Sequence, residues 1–272
     1  MPSPLISKRK NQGGRKESMN NPTEMNGRCG IITGAASGIG QAAALYLAQM
    51  GARVALVDID NTGLQVTASR IEGETSSRTL TFVSDATDES AANDVVTKTS
   101  TVFGSVDFLV NCAGILRKTA FLEISLEEWD LMYHVNVRGL FIYCQAVARC
   151  MVAQGSGAIV NVASLAGRSS SLLGGAHYTS AKHAIVGLSR HMARELTPKG
   201  LRVNAFCPGA TLTPMVTDST TPEEIEAVAR IIPRGKWAAA EEQAAVIGFL
   251  VSDAAVNITG ACIDSNGGSL MV

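Results

Sequence analysis

Short apolar runs recur along most of the chain, and most of them do not alternate with polar residues. They are Cys29-Gly30-Ile31-Ile32, Val54-Ala55-Leu56-Val57, Leu80-Thr81-Phe82-Val83, Phe108-Leu109-Val110, Ala158-Ile159-Val160-Asn161-Val162 and Val203-Asn204-Ala205-Phe206. Runs of this length and character suit strands buried on both faces. Stretches of helical character separate them, as in Ala42-Ala43-Ala44-Leu45-Tyr46-Leu47-Ala48. The alternation predicts an α/β fold, a doubly wound and mostly parallel sheet with helices on both faces. A final short strand near Ala261-Cys262-Ile263 makes the sheet seven-stranded. The capping-box signal Ser125-Leu126-Glu127-Glu128 opens the longest predicted helix, which runs past Gly139 to Met151.

Residues 1–26 break this pattern. They combine Lys8, Arg9, Lys10, Arg15 and Lys16 with Pro, Ser, Asn and Gly and have little apolar content, so they are expected to be a disordered extension, of which residues 1–24 are dispensable and a chain starting at Met25 folds and works as the whole does. A targeting presequence is the alternative, but the stretch lacks an apolar centre and its glycines and prolines spoil an amphipathic helix. Met19 and Met25 are alternative starts. Residues 27–272 then form one catalytic domain, because 272 residues are more naturally one α/β domain than two. A net charge of −1 with 17% charged residues gives no basic surface for nucleic acid, and no apolar run is long enough for a membrane span. Cys29, Cys112, Cys144, Cys150, Cys207 and Cys262 show no C-x-x-C spacing, so neither metal nor disulfides are indicated and the cytoplasm is the expected compartment.

Tyr178 and Lys182 carry the chemistry to which this frame is suited. On a helix their spacing puts them on one face about 6 Å apart along the axis, where the ammonium can hold down the pKa of the phenol. A phenol tuned in this way is a general acid/base, and the Ser164 hydroxyl could hold the same substrate oxygen. Taken alone, such a pair is more often an ordinary surface pair. The segment Thr33-Gly34-Ala35-Ala36-Ser37-Gly38-Ile39-Gly40 reverses those odds, because it joins a strand to a helix. Its glycines permit a tight turn and close approach of backbone N–H groups to a pyrophosphate. Asp58 ends the second apolar run, where a carboxylate accepts from ribose hydroxyls and repels a 2′-phosphate. Ser37 and Ile59 stand where a basic partner for that phosphate would be needed, so NAD is favoured over NADP. A helix cap is the alternative for Asp58, although Asp60 or Asn61 could serve as well.

From Arg28 to Gly268 the chain resembles the classical short-chain dehydrogenase/reductase family. The resemblance rests on Thr33-Gly34-x-x-x-Gly38-x-Gly40, Asp85, Asn111-Cys112-Ala113-Gly114, Asn136 within His134-Val135-Asn136-Val137, Ser164, Tyr178 with Lys182, Pro208-Gly209, and Thr213-Pro214-Met215 in that order. It implies a Rossmann-type fold and an NAD-dependent oxidoreductase that interconverts a secondary alcohol and a ketone. It also implies that Tyr178 is the general acid/base, that Lys182 contacts the nicotinamide ribose, and that Asn136 orders a water linking Lys182 to solvent. The implied cofactor contacts are Gly34, Ser37, Gly38, Ile39, Gly40, Asp58, Asp85, Ala86, Asn111, Ala113, Gly114, Tyr178, Lys182, Pro208, Gly209, Thr211 and Thr213. Cys112 departs from the family's usual second Asn. Read without the resemblance, Asn136 is equally a helix-packing residue.

Substrate contacts are expected from Ser164, Tyr178 and Arg168, within a rim of Leu116, Arg117, Leu165, Leu172, Leu173, His177, Leu212 and Met215. Either arginine could bind an anionic group, although a surface arginine is more often only solvated. The segment at about 211–237 reads as a lid. Leu131, Val135, Leu140, Phe141, Ala146 and Val147 on the long helix suggest a homotetramer or homodimer. An NADP-using carbonyl or 3-oxoacyl reductase and a non-catalytic dinucleotide-binding protein are the rival readings. An epimerase or dehydratase is disfavoured by the glycine spacing and the lack of a C-terminal substrate domain.

Overall fold

The computed structural model describes residues 23–272. Its strands are β1 (Cys29–Thr33), β2 (Arg53–Asp58), β3 (Thr79–Val83), β4 (Phe108–Asn111), β5 (Gly157–Val162), β6 (Leu201–Pro208), β7 (Thr211–Leu212), β8 (Ala238–Ala239) and β9 (Cys262–Ser265). Seven of them form one sheet in the order β3-β2-β1-β4-β5-β6-β9, with every neighbouring pair parallel. The expected mixed character is thus fully parallel, and each strand lies where the apolar runs put it, with ends shifted by one or two residues.

Both faces are covered, as the continuous apolar runs require. Ile32, Leu56, Val110 and Val160 point toward α1 (Gly38–Gln49), α2 (Asn61–Glu74) and α9 (Ala240–Val251). Ile31, Ala55, Leu109 and Ile159 point the other way, toward α3 (Glu89–Phe103), α5 (Leu140–Gln154) and α6 (Ala176–Leu196). The long helix after Ser125 is observed as α4 (Leu126–Tyr133), a π-helical turn over His134–Gly139, and α5. The Ser125 side chain accepts from the Glu128 N–H, and Gly155 closes α5 with a positive φ of 75°. Of the residues expected at a subunit contact, Leu140, Ala146 and Val147 are buried against the sheet. Leu131 and Phe141 face solvent.

The boundary of the domain lies earlier than expected. Met25 is fully buried, packs in the core with residues of α1 and donates its N–H to the Met50 carbonyl at 2.9 Å. Residues 1–22 of the expected extension lie outside the described residues.

A chain of buried polar groups crosses the sheet beneath its C-terminal edge. Asn111 Nδ2 donates to Asn161 Oδ1 at 2.9 Å, and Asn161 Nδ2 donates to Ser189 Oγ at 3.0 Å, which in turn donates to the Ile185 carbonyl at 2.7 Å. This ties β4 and β5 to α6. Because buried donors left without acceptors are costly, Asn161→Leu should lower stability by about 2–4 kcal/mol. Chemical denaturation measures this directly, and a loss below about 1 kcal/mol would refute the stabilising role.

Candidate active site

The order of the strands reverses between β1 and β4, so the loops that follow these strands diverge and leave a crevice at the C-terminal edge of the sheet. A cavity of about 440 Å³ occupies it. One wall is the turn from β1 into α1. Gly34 has φ 68°, and a side chain there would meet the Ala113 backbone at 2.7 Å. A Cβ on Gly40 would stand 2.0 Å from the Gly34 carbonyl oxygen, so this turn closes only with glycine at both positions. Ser37 occupies the N-cap of α1 without a side-chain cap bond, leaving the opening N–H groups of the helix for another acceptor. The cavity is lined by Gly34, Ser37, Gly38, Ile39 and Gly40, which fits a pyrophosphate.

Asp58 lines the same cavity at the end of β2. Its Oδ2 accepts from the Ala36 N–H and its Oδ1 from the Asp60 N–H, both at 3.0 Å, so the carboxylate is held in one orientation. The capping role falls to Asp60, whose side chain accepts from the Thr62 N–H. Asp85 follows β3, and its Oδ1 accepts from the Thr87 N–H and hydroxyl at 2.8 Å, which holds its carboxyl below the usual range. Ala86, Ala113, Gly114, Pro208, Gly209, Thr211 and Thr213 also line the cavity.

Tyr178 and Lys182 stand on the first turns of α6, both buried and both facing this cavity. The Lys182 ammonium lies 5.6 Å from the centre of the Tyr178 ring and donates to the Val162 carbonyl at 3.0 Å. Burial pulls Lys182 down to about 8. Cys112 and Cys207, pushed up to about 12 by burial, remain neutral thiols beside it. The expectation that Lys182 depresses the phenol is corrected here. Burial raises Tyr178, and the group acting against that rise is the hydrogen-bonded Ser164 hydroxyl. Ser164 caps a short 3₁₀ turn, Leu165–Gly167, by accepting from the Ala166 N–H at 3.1 Å, which leaves its hydroxyl hydrogen to aim at an oxygen near Tyr178.

Several expected contacts lie elsewhere. Asn111 is buried in the polar chain under the sheet and does not line the cavity. Asn136, on the π-helical turn, is also enclosed: its Oδ1 accepts from the Ile115 N–H at 2.7 Å and its Nδ2 donates to the Ile115 carbonyl at 2.9 Å. Its side chain therefore fixes the loop after β4. Arg168 pairs with Asp264 of β9 at 3.5 Å and is absent from the cavity wall, because the 3₁₀ turn carries it toward the sheet edge. His177 is fully buried, with Nε2 2.8 Å from Glu128 Oε1. Arg117 and Leu212 point to solvent. Thr211 lines the cavity, but its hydroxyl donates to the Gly209 carbonyl and accepts from Gln243.

The far wall comes from the segment read as a lid, and Leu172, Leu173 and Met215, expected on the rim, line the cavity. The short strands β7 and β8 pair at Thr211↔Ala238 and Leu212↔Ala239, and between them α7 (Pro214–Thr217) and α8 (Pro222–Ile231) fold over the cavity. Val216, Val228 and Trp237 from this segment pack together and line it. The amphipathic pattern of α8 was the one available signal for Val228; nothing local marks Trp237.

A family model described as enoyl-(acyl carrier protein) reductase matches residues 34–269. The chain is 36% identical over 244 residues to a D-threitol dehydrogenase of Mycolicibacterium smegmatis, covering 90% of this chain and 93% of that protein. It is 38% identical over 256 residues to a levodione reductase of Leifsonia aquatica, covering 90% and 95%. A crystal structure of a levodione reductase superposes with a TM-score of 0.87 at 33% identity, covering 90% of this chain and 98% of that one. A short-chain type dehydrogenase/reductase from Mycobacterium marinum gives the same TM-score and identity, covering 93% and 99%. With this fold, glycine turn and family match together, the chain belongs to the short-chain dehydrogenase/reductase family of nicotinamide-dinucleotide oxidoreductases.

Proposed function

We propose that this chain is an NAD-dependent dehydrogenase/reductase that interconverts a secondary alcohol and a ketone, with Tyr178 as general acid/base. The observation that carries the reading is the placement of Tyr178, Ser164 and Lys182 in the same cavity as the uncapped α1 N-terminus and the oriented Asp58 carboxylate. Bound NAD supplies the acceptor for the hydride that leaves the carbinol carbon. The α1 N–H groups would hold the pyrophosphate, and Asp58 would accept from the adenosine ribose hydroxyls and repel a 2′-phosphate. Ser164 donates to the substrate oxygen and fixes its position. Tyr178 removes the hydroxyl proton in oxidation and returns a proton to that oxygen in reduction. The Lys182 ammonium, held on the Val162 carbonyl in the same cavity, would donate to the nicotinamide ribose hydroxyls.

Replacing the phenol oxygen separates binding from chemistry. Tyr178→Phe should lower kcat by roughly 10³-fold or more while the dissociation constant for NADH, read by fluorescence titration, changes little. Retained turnover would exclude Tyr178 as the acid/base.

Cofactor choice should follow Asp58. The unmodified protein should prefer NAD over NADP, and Asp58→Ala should reduce the ratio of kcat/KM values by roughly tenfold or more. Equal use of NADP by the unmodified protein would refute this assignment.

Lys182 should cost the cofactor-free fold stability. Its folded pKa of about 8 lies below the ordinary 10.5, so the cost is full below pH 8 and disappears as pH rises toward 10.5. Lys182→Met should therefore abolish turnover and raise stability at pH 7 by roughly 2–3 kcal/mol, with the difference narrowing at alkaline pH. Thermal unfolding at pH 7 and pH 10 tests both signs; a variant less stable than the parent at pH 7 would reject the argument.

A further inference from the structure

Among the described residues, the charged side chains that line the cavity are Asp58, Asp85 and Lys182, and none belongs to the lid segment. Asp58 and Asp85 stand at the ends of β2 and β3, and Lys182 lies under Tyr178 with its ammonium on the Val162 carbonyl. Beyond Tyr178 the wall is built from Leu165, Leu173, Val216, Val228 and Trp237. No basic residue near these positions in sequence lines the cavity: Arg117 and Lys236 are exposed, and two others are paired elsewhere. Arg168 pairs with Asp264, and Lys118 pairs with Glu224 at 3.2 Å, where it also holds the start of α8 against the loop after β4.

Most polar side chains in this wall are engaged, and the exception, the Ser170 hydroxyl, is uncharged. The Trp237 indole N–H donates to the Ile225 carbonyl at 2.8 Å, and Thr211 bonds Gly209 and Gln243. The Ser171 hydroxyl accepts from the Gly174 N–H at 2.7 Å. A carboxylate or ammonium carried into this space would lose its water and find no counter-charge, whereas an apolar body gains about 25 cal/mol for each Å² buried.

We infer that the substrate of this site is an electrically neutral secondary alcohol or ketone whose body beyond the reacting carbon is apolar, and that the site rejects anionic hydroxy and oxo acids of the same shape. The inference rests on the reaction proposed at Tyr178, but it can be read without turnover. The probes are 4-methylcyclohexanone and 4-oxocyclohexanecarboxylate, which differ by a methyl group against a carboxylate on one ring. Calorimetry on Tyr178→Phe saturated with NADH measures the binding of each without reaction. The neutral ketone should bind about 100-fold more tightly, the size expected for leaving a carboxylate unpaired in an apolar wall. Leu173→Arg in the same background should narrow that ratio at least tenfold by supplying a counter-charge. Equal binding, tighter binding of the carboxylate, no binding of either ketone, or a ratio unmoved by Leu173→Arg would overturn the inference. Discrimination in binding with no oxidation of 4-methylcyclohexanol by the unmodified protein would instead refute the proposed reaction and leave the substrate class standing.

Discussion

Strands β1 and β4 lie side by side, yet the chain leaves β1 for one side of the sheet and reaches β4 only after two further strands have been added there. Parallel strands joined by right-handed crossovers cannot close this gap with backbone. The crevice follows from the connectivity, and every group of the site depends on it. Gly34 and Gly40 let the turn after β1 fold tightly against Ala113 of the loop after β4, which keeps the two sides of the crevice in contact at its base. The N-terminus of α1 is then left facing a space that no side chain of the turn fills.

Opposite that helix end, the sheet edge holds a cationic group where burial disfavours charge. Lys182 keeps a single carbonyl acceptor and has neutral thiols and the Tyr178 ring beside it. Its position is sustained by α6, which the Asn111–Asn161–Ser189 chain anchors to β4 and β5. Asn136 contributes from a third direction by gripping both backbone groups of Ile115. The π-helical turn bearing Asn136 interrupts an otherwise continuous helix, a local irregularity of the kind that re-aims a side chain. Stability spent on Lys182 is offset by burial elsewhere in two apolar layers, one on each face of the sheet.

The lid has a different balance. It grows from a two-strand ribbon, and its inner face is a small apolar cluster around Trp237, while Glu224 at the start of α8 pairs with Lys118 of the loop after β4. An exposed pair of this kind contributes little energy but fixes an orientation. The apolar cluster does most of the holding, and Val216, Val228 and Trp237 of it also line the cavity.

Local sequence was sufficient for the strands, the glycine turn and the helix spacing of Tyr178 and Lys182, because each follows from short-range periodicity or backbone sterics. It also identified Asp58, since a strand end fixes which way the chain points and the loop glycines are adjacent in space. What it did not determine was the occupation of polar side chains. Arg168 reads as a free cation until β9, far along the chain, supplies Asp264; His177 reads as a rim residue until α4 supplies Glu128. Asn111 and Asn136 carry motif positions, yet the carbonyls and N–H groups that absorb them come from other elements. Trp237 joins the wall only because β7 pairs with β8. A residue's type and its place on an element are local properties, whereas its hydrogen-bond partners and the sign of its pKa shift depend on which distant groups the packed fold brings within a few ångströms. For that reason the sequence itself determined where the chemistry sits, and only the tertiary structure decided which side chains are free to take part in it.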